Sequence, residues 1–414
     1  MLKIDSEAIE NKIKKYYSSN FDLLVLYSFV LVAFLIGMFI RISLLPQISV
    51  DMSGFLTSWY KDIQSHGGFA AIGRKIGNFP PMYYYFMAIM TYSKLPIHIA
   101  IKWISIVFDI ILAFYVMKIL ELKDTKKSIF PAIAFAVVFC LPTVVINSAA
   151  WGHSDAIYTT FLVMCLYYLL NGKDRCAMIM LGLSFAFKVQ AVFIMPVVLI
   201  MVLLKKIRLK TLIWIPATYF ITLIPAALSG GNILKLISVC FSQFDTQGQL
   251  TVGMPNMWAL LETIKSSELG RAGFFFVCVV ALIMVFYYYS QKKFKITTKS
   301  IIGLTTISAF ILPYTMPYMN PRSMYFTEIM FVLFVFCYRK NIWLIATTQF
   351  CSAQCVLWDL CKHGPIDLRL LALLWIVNAT VAFYTLREEI NSPTDTEEIC
   401  MSFEKQKSVI PMND

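Results

Sequence analysis

The chain has 414 residues, 59% of them hydrophobic and only 14% charged, with a mean hydropathy of +0.70. So apolar a balance excludes an ordinary soluble domain, because too few polar side chains remain to cover its surface. The formal charge of +12 does not point to nucleic acid, since the basic residues form short clusters between apolar runs, where membrane topology accounts for them.

The first long apolar run, Leu23 to Leu45, follows a charged amphipathic segment (1–21) carrying Lys12, Lys14 and Lys15. No small-residue cleavage site follows, so the run reads as a retained anchor. A transmembrane helix takes roughly 20 apolar residues. Runs near that length are expected at 22–44, 97–118, 130–147, 155–170, 175–188, 191–204, 210–228, 271–290, 300–318, 323–338, 341–357 and 366–386. The expected fold is therefore an all-α, polytopic transmembrane bundle of about twelve spans. With both termini cytoplasmic, the inside segments hold 23 of the 36 Lys and Arg, including Lys205, Lys206, Arg208 and Lys210.

The apolar segment from Pro80 to Tyr92 is short and opens on paired prolines, so it reads as an interfacial or re-entrant helix within a large outer loop, 46–96. A second outer loop covers 229–270, and a polar, disordered tail is expected over 387–414. The unit between, 22–386, reads as one membrane domain. Ten cysteines, most of them in apolar segments, read as small core residues. The group Cys351, Cys355, Cys361 and His363 near Asp359 matches no standard zinc spacing, so no metal ligands are assigned.

Five polar constellations share the outer side under this topology. Asp51 follows the first span, where partial desolvation would make a carboxylate a better base; a solvated loop acid is the plainer reading of that residue alone. Asn78-Phe79-Pro80-Pro81 leads into Tyr83 and Tyr84, an aromatic surface suited to a sugar face, though an interfacial belt looks similar. Asn147-Ser148-Ala149-Ala150-Trp151-Gly152-His153-Ser154-Asp155 joins two spans, and a helix cap alone would not call for Trp151, His153 and Asp155 together. Lys188 and Gln190 sit between two apolar runs, where the lysine either snorkels or meets a phosphate. Last comes the turn Pro317-Tyr318-Met319-Asn320-Pro321-Arg322-Ser323-Met324-Tyr325. Arg322 is the sole Arg or Lys between Lys299 and Arg339, and a guanidinium on the outer side suits a phosphate clamp. No Walker pattern occurs, which argues against a nucleotide donor.

The order of these motifs, with Pro255-Asn256-Met257-Trp258, resembles the GT-C membrane glycosyltransferases. The resemblance is nearest to bacterial relatives of the second mannosyltransferase of GPI-anchor synthesis, and more distant to dolichyl-phosphate-glucose-dependent glucosyltransferases. It runs from about Asp51 to Phe326. It implies transfer of a mannose-like or glucose-like hexose from a polyprenyl-phosphate sugar to an extracytoplasmic glycan or glycolipid acceptor, with inversion. Asp51 would then be the base, Arg322, Lys188 and Gln190 would bind the donor phosphate, and Asn78, Tyr83, Tyr84, Trp151, His153, Asp155, Asn256, Trp258, Asn320 and Tyr325 would form the pocket. No cofactor is required, a divalent cation is not indicated, and the implied setting is a lipid bilayer, the plasma membrane of a bacterium. Two motifs depart from the family pattern: His153 replaces a usual Gln, and Asn320-Pro321 replaces the His-Glu that precedes the arginine, with Tyr325-Phe326 displaced by two. The competing readings are a transporter or flippase of a lipid-linked sugar, and a noncatalytic homologue in an envelope-polymer complex.

Overall fold

The computed structural model describes residues 6–123, 128–242, 250–261, 267–291, 295–361 and 366–391. Among them the chain is all-helical, with a single isolated bridge between Thr251 and Met319 and no strand. The helices in chain order are α1 (Ser6–Leu44), α2 (Thr57–Ser65), α3 (Pro81–Thr91), α4 (Ile97–Glu121), α5 (Phe130–Cys140), α6 (Pro142–Val145), α7 (Asp155–Leu170) and α8 (Asp174–Phe185). They continue with α9 (Met195–Leu203), α10 (Trp214–Leu228), α11 (Ile233–Ser242), α12 (Ser267–Ser290), α13 (Thr298–Thr315), α14 (Tyr325–Tyr338), α15 (Trp343–Cys361) and α16 (Leu368–Asn391).

Every apolar run expected to span is helical, but the spans differ in length. Among the described residues, five helices are long and apolar enough to cross a membrane, at Leu24–Leu44, Ile97–Glu121, Leu209–Leu228, Leu269–Ser290 and Leu368–Asn391. A sixth span arises if the pair Phe130–Cys140 and Pro142–Trp151, bent by 48°, is counted as one. Pro142 explains the bend, because it cannot donate a backbone N–H and forces Leu141 out of the helical region, to ψ 129°. The remaining apolar runs form shorter helices such as Asp155–Leu170.

Burial separates the lipid face from the core. Leu24, Tyr27, Leu31, Leu35 and Phe39 of α1 are exposed apolar side chains at helical spacing, so this face meets lipid. By contrast α14 is buried on all sides except at Phe336, as befits a helix apolar all round at the centre of a bundle. At the end of α1, buried Arg41 donates to Asp109 Oδ2 of α4 through Nε at 3.0 Å and Nη2 at 2.8 Å, and Ser148 donates to the same oxygen at 2.5 Å. Arg41 also stacks 4.0 Å from the Phe139 ring, so α1, α4 and α5 are pinned at one point.

The segment 46–96 folds into α2 and α3, packed together by the Tyr60 hydroxyl donating to the Met90 carbonyl at 2.7 Å. Extended Pro80 and Pro81 at the first turn start α3, as proline's fixed φ favours. At 11 residues α3 is about 16 Å long, half a hydrocarbon core. Tyr85 ties it to α10, donating to the Thr222 carbonyl at 2.8 Å and accepting from the Ala226 amide at 3.1 Å. From Ser6 onward the segment expected before the first span is helical and continuous with it in α1. Similarly, α16 continues to Asn391, past the expected start of the tail, and residues 392–414 lie outside the described residues. Cys351 and Cys355 are buried, His363 lies outside the described residues, and among those described no three His, Cys, Asp or Glu are grouped to hold a metal.

Candidate active site

Asp51 stands at the start of the helical stretch that leads into α2, and two anchors fix it there. Lys102 of α4, fully buried, donates to the carbonyls of Leu44 at 3.3 Å, Leu45 at 3.0 Å and Gln47 at 2.5 Å. These belong to the end of α1 and the turn after it, where carbonyls lack intrahelical partners. Ser49 donates to the Trp151 carbonyl at 2.9 Å and accepts from the Met52 amide at 3.0 Å, joining this turn to the segment 147–155. Gly152 sits at φ +75°, and a Cβ there would fall 2.5 Å from the Met52 side chain, so the close approach and the left-handed backbone both call for glycine.

Arg322 is presented by a short 3-10 turn, Pro321–Met324, directly before α14. The turn is braced by the segment 250–261: Tyr318 donates its amide to the Leu250 carbonyl at 2.8 Å, and the Val252 amide donates to the Met319 carbonyl at 3.1 Å. Asn256 and Trp258 serve this bracing. Asn256 Oδ1 accepts from the Trp258 amide at 3.1 Å, and Trp258 Nε1 donates to the Thr315 carbonyl at 2.9 Å. Both are buried against the end of α13, and their hydrogen bonds are used there.

From these frames Asp51, His153 and Arg322 converge. Arg322 Nη1 is 3.2 Å from Asp51 Oδ2, and it lies 2.8 Å from His153 Nδ1 and 3.0 Å from Nε2. His153 Nε2 is itself 3.4 Å from Asp51 Oδ2. A neutral ring offers one acceptor nitrogen, and Nδ1 accepting from Arg322 with Nε2–H turned to Asp51 fits these distances. Burial, reinforced by the Arg322 charge, holds the His153 pKa well below its usual value, so the ring stays neutral.

A second cluster adjoins the first. Buried Asp155, the first residue of α7, accepts from Lys188 Nζ on Oδ1 and from Asn147 Nδ2 on Oδ2 at 3.0 Å. Lys188 lies 5.9 Å from the Phe79 ring centre and 5.7 Å from that of Tyr158. Its charge therefore already has a carboxylate partner, an arrangement that depends on α7 packing against the end of α8. Tyr84 accepts from the Phe79 amide at 3.1 Å, and Tyr83 packs its ring 5.3 Å from that of Phe79. Burial pushes both tyrosine hydroxyls up, so they remain protonated donors.

The other sequence candidates are dispersed around this pair of clusters. Trp151 and Tyr325 line, with Arg322, a small cavity of about 30 Å³. Asn320 Oδ1 accepts from Ser323 Oγ at 3.4 Å, and the Asn320 carbonyl accepts from the Ser323 amide at 3.0 Å, at the start of the turn that carries Arg322. Gln190 lies in the 3-10 turn after Lys188, its Oε1 buried without a partner, and Asn78 is exposed. Missed from the sequence are Arg41, Lys102, Asp109 and Glu328. Each is an ionisable residue inside an apolar run, which is the signal that marked them.

No family profile matches the sequence. A stretch of 103 residues is 29% identical to GPI mannosyltransferase 1 of Debaryomyces hansenii, covering 24% of this chain and 25% of that protein. The chain is similar to a mannosyltransferase. The match thus spans about a quarter of the relative's length, and it names the first GPI mannosyltransferase where the motif order resembles relatives of the second. With the apolar helices, it supports a membrane protein of mannosyltransferase-like character.

Proposed function

We propose that the chain is a membrane glycosyltransferase that moves a hexose from a polyprenyl-phosphate sugar to an extracytoplasmic glycan or lipid-linked acceptor, with inversion. The observation that carries this reading is the meeting of Asp51 and Arg322 at 3.2 Å, with neutral His153 touching both. The partial likeness to a mannosyltransferase supports it.

In this mechanism the acceptor hydroxyl gives its proton to the Asp51 carboxylate as its oxygen attacks the anomeric carbon. The bond from that carbon to the phosphate oxygen breaks, and the lipid phosphate departs with its negative charge balanced by Arg322. One displacement on the face opposite the leaving group inverts the configuration. Before donor binds, the Arg322 guanidinium pairs with Asp51; an arriving phosphate competes for it, which frees the carboxylate to act as base. His153, having no charge of its own, can hand its hydrogen bonds from one partner to the other without opposing either. Lys188 holds Asp155 and the sugar-side wall and Gln190 offers its free amide oxygen, while Arg322 meets the phosphate directly. No cofactor is needed for these steps, and the site faces the outside of the plasma membrane with both termini inside.

The test is transfer by membranes containing the chain, offered radiolabelled polyprenyl-phosphate mannose, polyprenyl-phosphate glucose, or the corresponding nucleotide sugars. Labelled glycan or glycolipid from a polyprenyl-phosphate hexose is expected. Label incorporated from nucleotide sugars alone would refute the donor class.

A further inference from the structure

The ends of α12 and α16 enclose a pocket of about 280 Å³, whose lining includes Tyr287, Gln291, Phe383, Arg387 and Asn391. The Tyr287 and Phe383 rings, with centres 6.3 Å apart, bring the two helices together at its wall. The pocket lies at the opposite end of the bundle from Asp51. Beginning beside Arg322, α14 runs 14 residues, about 21 Å, to Tyr338, whose hydroxyl donates to the Lys299 carbonyl at 2.9 Å. Lys299 Nζ is in turn 3.4 Å from Glu389 of α16, two residues from Arg387.

Arg387 is the unmatched charge at this end. The two acids after it are engaged by lysines, Glu388 by Lys340 and Glu389 by Lys299, each at 3.4 Å. Among the described residues Arg387 therefore pairs with no carboxylate, and the side chains of Gln291 and Asn391 meet no hydrogen-bond partner. A guanidinium flanked by two amides is a donor-rich lining that matches phosphate oxygens. An ammonium is disfavoured there, because Lys299, Arg339, Lys340 and Arg387 outnumber Glu388 and Glu389. What leads into the pocket is apolar. Leu373 and Ile376 lie on one stripe of α16 with Phe383 and Arg387, and Phe276 and Ile283 lie on the stripe of α12 that ends at Tyr287. Leu373, Ile376, Phe276 and Ile283 are all exposed. Both helices are long and apolar enough to cross a membrane, so the stripes meet acyl chains and the pocket at their ends falls at head-group depth. A soluble anion would use Arg387 alone, whereas a phospholipid uses the cation and the stripes together.

We propose that this pocket binds an anionic phospholipid, with its phosphate on Arg387, Gln291 and Asn391 and its acyl chains along α12 and α16. The basic side chains around it favour a head group of net negative charge over a zwitterionic one. A lipid seated there joins two membrane-crossing helices and stabilises the folded chain by mass action.

The test is native mass spectrometry of the full chain, delipidated in detergent micelles and titrated with dioctanoyl phosphatidylglycerol or dioctanoyl phosphatidylcholine. Phosphatidylglycerol should be retained at concentrations where phosphatidylcholine is not. Arg387→Ala should weaken its binding about tenfold or more, the effect of losing a charge-assisted contact. Lys210→Ala, which removes an exposed charge away from the pocket, should leave binding unchanged. Asn391→Asp places a negative charge in the lining, should also weaken binding, and carries the test if Arg387→Ala is not recovered in micelles. Equal retention of the two lipids, equal binding by wild type and the pocket variants, or the same loss in Lys210→Ala would overturn the proposal. So would displacement of the lipid by an equal concentration of glycerol 3-phosphate, which would make this a site for a soluble anion. None of these readouts uses transfer, so the lipid site and the proposed function stand or fall separately.

Discussion

Asp51 and Arg322 lie 271 residues apart in the chain and meet at 3.2 Å, one carried by the turn after α1 and the other by the turn before α14. Both side chains are about one-third exposed, at 30% each, so the pair is screened by water and its value is in placement more than in stability. Exchange of Arg322 for Lys would keep the charge but lose the planar fork. Transfer should fall for Arg322→Lys through weaker hold on the lipid phosphate, seen as a raised KM for donor together with a lower kcat. Unchanged kinetics would remove the phosphate role.

The Lys188–Asp155 pair is buried, at 15% and 1% exposure, and it joins the extended residue after α8 to the start of α7. Breaking it from one side strands the other charge, at a cost of about 3–5 kcal/mol. Asp155→Leu alone should therefore destabilise the protein more than Asp155→Leu combined with Lys188→Met, measured by denaturant titration in micelles. A double variant at least as destabilised as Asp155→Leu alone would show that the pair is not the stabilising unit.

Lys102 closes the end of α1 by its three carbonyl contacts, and Asp51 follows only four residues after the last of them. Lys102→Met should displace the turn and reduce transfer about a hundredfold, the size expected of a misplacement near 1 Å. Lys102→Arg should retain more activity than Lys102→Met. Equal loss in both would make Lys102 a general packing residue.

The depressed pKa of His153 sets a direction for pH. Unfolded, the ring takes a proton near its ordinary value of about 6.5, whereas the folded ring does not. The unfolded state thus binds more protons below about pH 6.5, and stability falls as pH drops through that value. His153→Gln should flatten this slope between pH 7.5 and 5.5 in thermal unfolding, while an unaltered slope would point to other groups.

Sidedness separates transfer from transport. With the exposed native Cys176 and Cys278 replaced, a cysteine placed at Arg322 should react with an impermeant thiol reagent only from outside, and one at Lys205 only from inside. A cysteine at Arg322 reactive from both sides would favour a carrier whose site alternates between faces.

The helices were legible because apolar runs are local, and the shortness of α3 and its start were legible from Pro80 and Pro81. The number of long spans was not, since a break such as that at Pro142 turns one run into two short helices and the sequence alone sets no angle between them. Asp51, His153 and Arg322 stood out as polar residues at apolar boundaries, but their mutual contact depends on three separate turns. Lys188 read as a free cation because its partner Asp155 is brought to it only by helix packing. Glu328 was hidden in the aromatic run of α14, although an acid in such a run is itself the mark of a use for it.

Asp51 as the base is the claim on which the mechanism turns, and Asp51→Asn tests it most directly. The variant keeps the shape of the side chain but cannot take a proton, so membranes holding it at wild-type levels should lose transfer from polyprenyl-phosphate hexose by about a hundredfold or more. Transfer at the wild-type rate by Asp51→Asn would contradict that assignment.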